Sequence, residues 1–207
     1  MTLKNKLVNI VRKECRDNAV KLYLGNGKSV NYSKGIQVNG FFDSNEDEPY
    51  QGKLSCAIGR QNWELILVHE FNHMMQWKEN CKVWQNYEII CDNVIDEVIS
   101  GKDVDLKNLE IDARTILLLE HDCEKRSYNT LKNLGHPKEK LVEYVQKANA
   151  YALFYLYIIK KKKWYEIGKE PYNLKSVWSK FPKTFNIDID ATYARLGHLY
   201  DKCVKVN

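Results

Sequence analysis

Residues 65–77 read LILVHEFNHMMQW, which puts two histidines and a glutamate into a stretch with the apolar character of a buried helix. His69 and His73 are four residues apart, and this spacing brings both imidazoles to one helix face, where they can bind one ion. Glu70 lies beside them, within reach of a metal-bound water. Zinc lowers the pKa of such a water, and a carboxylate can take its proton during attack on a carbonyl. The motif therefore predicts a zinc site suited to hydrolysis.

The length of 207 residues suits one domain with a substantial core. We expect a single domain over 1–207. It would comprise a helix plus small sheet in 1–62, metal-binding helices in 63–134 and a helical C-terminal part in 135–207.

The spacing of apolar residues predicts the elements outward from this motif. A helix is expected from Leu3 to about Asn18. Three strands are expected at Ala19–Leu24, Ile36–Phe42 and Leu54–Ile58. Helices are expected at Trp63 to about Asn80, Asp92–Ile99 (ended by Gly101), Asp105 to about Leu134, Pro137–Lys162, Leu174–Lys180 and Ala191–Cys203. This order predicts an α+β fold with a small, mostly antiparallel sheet.

A catalytic zinc site needs a third protein ligand and an open position. The best source is the long helix predicted from Asp105, where polar residues follow three leucines at 117–119. Glu120 is the preferred ligand, and Glu124, one turn later, would orient a histidine by accepting a hydrogen bond from its other ring nitrogen. Asp122 is the competing ligand, and His121 is a weaker choice.

The combination of His69, Glu70 and His73 with a later helix bearing Glu120 and Glu124 resembles the gluzincin branch of HExxH zinc metallopeptidases. The compact layout also resembles small zincins of the ImmA/IrrE type and metallopeptidase-like proteins of tailed phages. The resemblance implies a zincin-like domain, bound Zn²⁺, a glutamate ligand on the later helix and a peptide or protein substrate.

The resemblance covers roughly residues 54–128 and has departures. The family usually has aspartate where Glu124 stands, and often alanine where His121 stands, so the choice between Glu120 and Asp122 stays open. In zincins an edge strand before the metal helix commonly binds the substrate backbone. Lys53–Ile58 matches this strand by position and alternation, which would make Ser55, Cys56 and Ala57 substrate-binding residues. A strand without such a role fits the same pattern.

A peptidase also needs a donor that stabilises the oxyanion. We favour Tyr155 and His198 for this role, with Tyr151 and Tyr193 as alternatives on the same two predicted helices. Each of these side chains could equally serve packing.

The formal net charge of +5 is mild, and the run Lys160–Lys163 is best explained as a solvated helix end. No nucleic-acid motif accompanies it, so we expect no nucleic-acid partner.

Residues 1–6 lack the apolar stretch of a signal peptide, and 148–159 is too short to span a bilayer. We expect a cytoplasmic protein without a membrane partner, in the host cytoplasm if phage-encoded. The six scattered cysteines are expected to be reduced thiols.

The sequence thus favours a zinc-dependent metallohydrolase, a peptidase in which Glu70 is the general base. Two alternatives stay open. One is a non-catalytic zincin-fold protein, phage-related, that binds or regulates a partner. The other is a nucleic-acid-associated protein that uses Lys160–Lys163.

Overall fold

The computed structural model describes residues 2–32, 36–45, 48–90, 94–100 and 102–204. It confirms the α+β fold, with an N-terminal helix, small sheets and a mostly helical remainder. The chain forms two compact units, 1–81 with 129–136 and 82–128 with 137–207. Each unit buries its own group of apolar side chains. The expectation of one domain over 1–207 stays a prediction.

Helix α1, Leu3–Asp17, opens the first unit as the sequence predicts. Thr2 caps it, since its hydroxyl accepts a hydrogen bond from the amide of Asn5 at 3.3 Å. The residues that α1 buries recur every fourth position, and they are Leu7, Val11 and Cys15.

Five strands follow among the described residues: β1 Val20–Gly25, β2 Val30–Asn31, β3 Gln37–Val38, β4 Gly40–Asp43 and β5 Gly52–Ala57. Three of them form a sheet in the order β1-β5-β4, and β2 pairs with β3. The β4–β5 and β2–β3 pairs are antiparallel, whereas β1 and β5 are parallel, so the strand pairing is mixed. A parallel pair needs a long connection, which residues 26–51 supply.

The position of β5 corrects one expectation. β5 lies between β1 and β4 and is paired on both sides, so the expectation of an edge strand at Lys53–Ile58 is wrong. Ser55, Cys56 and Ala57 are at most 1% exposed. A strand with both sides paired has no edge to which a substrate strand could add. Any other substrate contact of these three residues stays a prediction.

Helix α2, Trp63–Lys78, follows the sheet and packs against β4 and β5. Asn62 precedes it in the left-handed conformation (φ 58°), which asparagine tolerates better than most residues. The buried residues of α2 include Leu67, Val68, Phe71 and Met74, which confirms the predicted apolar helix around the motif. Cys15 lies on the same side of the sheet, with its Sγ 3.7 Å from the Met74 sulfur.

Every element that the structure describes after α2 is a helix. The elements are α3 Lys82–Ile89, α4 Val94–Ile99, α5 Leu106–Asn133, α6 Lys138–Ala152, α7 Phe154–Lys161, α8 Lys175–Trp178, α9 Ile189–Leu196 and a 3-10 helix Gly197–Lys202.

Several boundaries differ from the predicted ones. The helix expected over Pro137–Lys162 is divided at Leu153, and the last helix continues as a 3-10 helix from Gly197. Helix α3 was not predicted from the sequence. Of the short helix expected at Asp92–Ile99, Asp92 lies outside the described residues, as does Gly101.

The second unit has an aromatic core with Phe154 at its centre. The ring of Phe154 lies 5.2 Å from that of Tyr200, whose hydroxyl donates to the carbonyl of Ala150. A buried amide secures a neighbouring segment, since Gln146 Nε2 donates to the carbonyls of Ser179 and Phe181. Satisfied polar groups of this kind cost little when buried.

Candidate metal centre

Helix α2 brings the two motif histidines together. The imidazole rings of His69 and His73 have centroids 4.6 Å apart and planes at 85°. Their Nε2 atoms are 3.1 Å apart. Two nitrogens that are each about 2.0–2.1 Å from a tetrahedral zinc lie about 3.3–3.4 Å apart. The pair therefore has the spacing that a shared zinc ion requires.

The surroundings of the pair combine burial with access. His73 is 9% exposed, whereas His69 and Glu70 are half-buried. Asn72, next to His73, is buried and donates through Nδ2 to the Val68 carbonyl at 2.7 Å. Of the two candidate ligands, His73 is therefore held in the packed interior, whereas His69 and the neighbouring Glu70 are partly open to solvent.

Gln76 contacts the second ring nitrogen of His73, and the sequence analysis missed it. The amide oxygen of Gln76 lies 2.8 Å from His73 Nδ1, and Gln76 is fully buried. An amide oxygen only accepts, so Nδ1 carries the hydrogen. In the neutral ring this leaves the lone pair on Nε2, the atom that faces His69. The signal was available in the sequence, since Gln76 is three residues after His73 and shares its helix face.

Glu70 lies against the outer strand β4. A Cβ atom built on Gly40 would be 3.0 Å from Glu70 Cγ and 2.7 Å from a methyl carbon of Ile66. Burial and, next, the charge of Glu70 raise the pKa of the Cys56 thiol to about 12. The carboxylate of Glu70 is therefore close to Cys56. The carboxylate is therefore on the side of α2 that faces β4 and β5.

Two of the α5 residues predicted to complete the site, Glu120 and Glu124, lie on one buried stripe of the helix. Glu120, Cys123, Glu124 and Ser127 recur at three- and four-residue intervals, and all four are buried. The hydroxyl of Tyr144 on α6 donates to the Glu124 carboxylate. The role of Glu124 in orienting a histidine stays a prediction.

The α5 stripe also contains Cys123, a buried thiol that the sequence did not single out. The roles of Glu120 and Asp122 as zinc ligands stay predictions.

Two weaker ligand candidates have other partners. Asp122 accepts from Arg126 Nε at 2.7 Å, an ion pair one turn along the helix. His121 Nε2 lies 3.3 Å from Asn149 Oδ1, and its ring meets that of Phe185 edge-on. Burial lowers the pKa of His121, which favours the neutral ring. The side chains of Asp122 and His121 therefore each have a polar partner within the protein.

The oxyanion candidates differ in exposure. Tyr155 is buried in the core of the second unit, and its hydroxyl is 3.3 Å from that of Tyr151. Burial, and next the charge of Glu120, raise the pKa of Tyr151 well above its usual value. Tyr193 is buried beneath Lys160, whereas His198 is exposed on the 3-10 helix. The oxyanion role of each stays a prediction.

The lysine run ends helix α7, as expected. Lys162 has a left-handed backbone and its side chain pairs with Asp103 at 3.1 Å, while Lys160 lies over the Tyr193 ring. The five cysteines that the structure describes are thiols, and Cys91 lies outside the described residues. Within the part of the chain that is described, no helix has both the length and the apolarity needed to cross a bilayer.

Comparison with known protein families, with characterised proteins and with solved structures finds no match to this chain.

Proposed function

We propose that the protein is a zinc-dependent hydrolase that cleaves peptide bonds. The observation that carries the proposal is the 3.1 Å separation of the His69 and His73 Nε2 atoms on one helix. Two imidazoles at i and i+4, with a glutamate beside the first, are the set that metallopeptidases use on a helix. The hydrogen on His73 Nδ1 supports the proposal further, since it leaves Nε2 able to bind a cation.

Zinc in this site would polarise the scissile carbonyl and acidify a bound water. Glu70 would then take the proton of that water and pass it to the nitrogen of the leaving amine. Its place one residue after His69 supports this role. A half-buried carboxylate keeps access to water while its backbone is fixed in the helix.

A peptide substrate would pair with β4 rather than with β5. β4 is an outer strand of the β1-β5-β4 sheet, and it packs against α2 close to Glu70. An extended peptide gains main-chain hydrogen bonds when it adds to an outer strand. This proposal transfers the role expected of Ser55, Cys56 and Ala57 to the strand that borders the metal helix.

The direct test is cleavage of an unfolded protein substrate by zinc-loaded protein. We expect cleavage to stop with a chelator and to return when zinc, but not magnesium, is restored, because nitrogen ligands favour zinc over magnesium. Fragment masses would identify the cleaved bonds. Cleavage that persists in chelator would exclude the proposal and indicate a contaminating protease of another class.

The third zinc ligand is proposed to come from α5. We expect Glu120→Gln to lower zinc affinity by about 100-fold or more, since one of three protein ligands would be lost. Asp122→Asn should leave affinity unchanged, because Asp122 already pairs with Arg126. Competition with a chelating dye measures both. If Glu120→Gln keeps zinc, the ligand is not Glu120, contrary to what the resemblance implies.

A further inference from the structure

We propose that Gln76 is the positioning residue that prepares His73 for the metal, by fixing both its tautomer and its ring orientation. This inference rests on the proposed zinc site, and it concerns a residue outside the His-Glu-x-x-His motif. Gln76 would touch neither zinc nor substrate. It acts through the imidazole of His73, by the hydrogen bond that joins them.

The first step is the identity of the hydrogen-bond acceptor. Gln76 Oε1 is 2.8 Å from His73 Nδ1, and both residues belong to α2, three positions apart. Because the helix fixes this separation, the contact does not depend on the placement of any loop. A neutral imidazole has one N–H, so the acceptor at Nδ1 selects the tautomer with its lone pair on Nε2.

The second step concerns the atom on the far side of the ring. His73 Nε2 is 3.1 Å from His69 Nε2. With the lone pair of His73 fixed there, the metal-free protein satisfies this contact when His69 donates from Nε2. Zinc would replace that hydrogen, and His69 would then carry its hydrogen on Nδ1. Gln76 thus sets which of the two histidines changes tautomer when metal binds.

The third step is burial. Gln76 is fully buried, where an amide without partners would be costly. Packing around Gln76 therefore holds its oxygen in place. The imidazole of His73, held at Nδ1 by this oxygen, would lose little freedom when it binds an ion. Partners that orient histidine ligands in this way typically change metal affinity by roughly 10- to 100-fold when they are removed.

The test compares Gln76→Met, which keeps the size of the side chain and removes the acceptor, with Gln76→Glu, which keeps an acceptor. Gln146→Met is the matched control, since Gln146 is also a buried amide but bonds to the carbonyls of Ser179 and Phe181. Zinc affinity is measured by dye competition. Imidazole ¹⁵N shifts of the metal-free proteins report the tautomers of His69 and His73.

We expect Gln76→Met to lose about 10- to 100-fold in zinc affinity and to lose the Nδ1–H preference of His73. Gln76→Glu should keep affinity within about threefold of the wild type or raise it, because a carboxylate is the stronger acceptor. Gln146→Met should change neither quantity. A wild-type His73 with its hydrogen on Nε2, or a Gln76→Met protein with unchanged tautomer and affinity, would overturn the proposal.

The spectrum of the metal-free protein separates this inference from the proposed function. If wild-type protein binds no zinc, the zinc site is wrong, yet the tautomer of His73 still tests Gln76. If Gln76→Met does not fold, the wild-type spectrum and the Gln76→Glu protein still give the result.

Discussion

Wild-type protein will contain about one zinc ion per chain after dialysis against limiting zinc, and His73→Ala will contain less than about a tenth of that. The loss is expected to be nearly complete, because His73 supplies one of the two nitrogens whose 3.1 Å spacing defines the site. Alanine leaves a void but no competing donor. Elemental analysis by mass spectrometry measures the metal, and His69→Ala should behave in the same way.

The control for this experiment is His198→Ala, which removes an exposed histidine of the 3-10 helix. It should keep the full zinc content. Zinc should also raise the melting temperature of the wild type and of His198→Ala, because a ligand that binds only the folded state stabilises it. Equal zinc content in His73→Ala and wild type would mean that any bound zinc lies elsewhere in the chain.

Glu70→Gln will keep zinc and lose peptide cleavage by about 100- to 10,000-fold, the contribution that a positioned general base typically makes. Glutamine preserves the size and the packing of Glu70 beside Gly40, so the helix should remain intact. Its amide cannot take a proton from water. Initial rates at saturating and subsaturating substrate show whether the loss lies in kcat, as expected for a group that acts in the chemical step.

Glu79→Gln is the control for Glu70→Gln, since Glu79 is an exposed carboxylate at the end of the same helix. Its cleavage rate should match that of the wild type. Full activity in Glu70→Gln would exclude Glu70 as the base. Zinc binding without cleavage in any of these proteins would instead favour a non-catalytic, zinc-containing binding protein.

The histidine pair could be predicted because its geometry is local. A separation of four residues places two side chains on one face of any helix, and the apolar residues at 65–68 and 74–77 indicated the helix. The same reasoning gave α1 and α5 with boundaries within one or two residues of those found. Short-range periodicity identifies such helices without knowledge of any tertiary contact.

The place of β5 could not be predicted in this way. Residues 54–57 read as a strand, but strand order depends on pairing between segments far apart in the chain, and β1 pairs in parallel with β5 across residues 26–51. The division between α6 and α7 at Leu153 could not be predicted from the sequence either. The stretch 148–159 contains neither proline nor glycine, the residues that usually mark a helix end.

The α5 stripe illustrates a different limit. Helical spacing places Cys123 on the same buried face as Glu120, yet a single cysteine reads as a small apolar core residue rather than as a metal ligand. Gln76 was overlooked for a related reason. The motif names the residues that touch metal and water, whereas the residue behind a ligand has no fixed place in it.

Gly40 affects how the backbone of a substrate would be placed relative to Glu70. Because this residue has no side chain, β4 lies so close to α2 that one added carbon would come within 3.0 Å of both Glu70 and the Ser55 carbonyl oxygen. The backbone of β4 is therefore held at a fixed, short distance from the side chain of Glu70. A polypeptide aligned along it would present its backbone at one height above Glu70, so the depth of entry would be set by main chain rather than by side chains. Selectivity among substrates would then come from the side chains on either side of the cleaved bond.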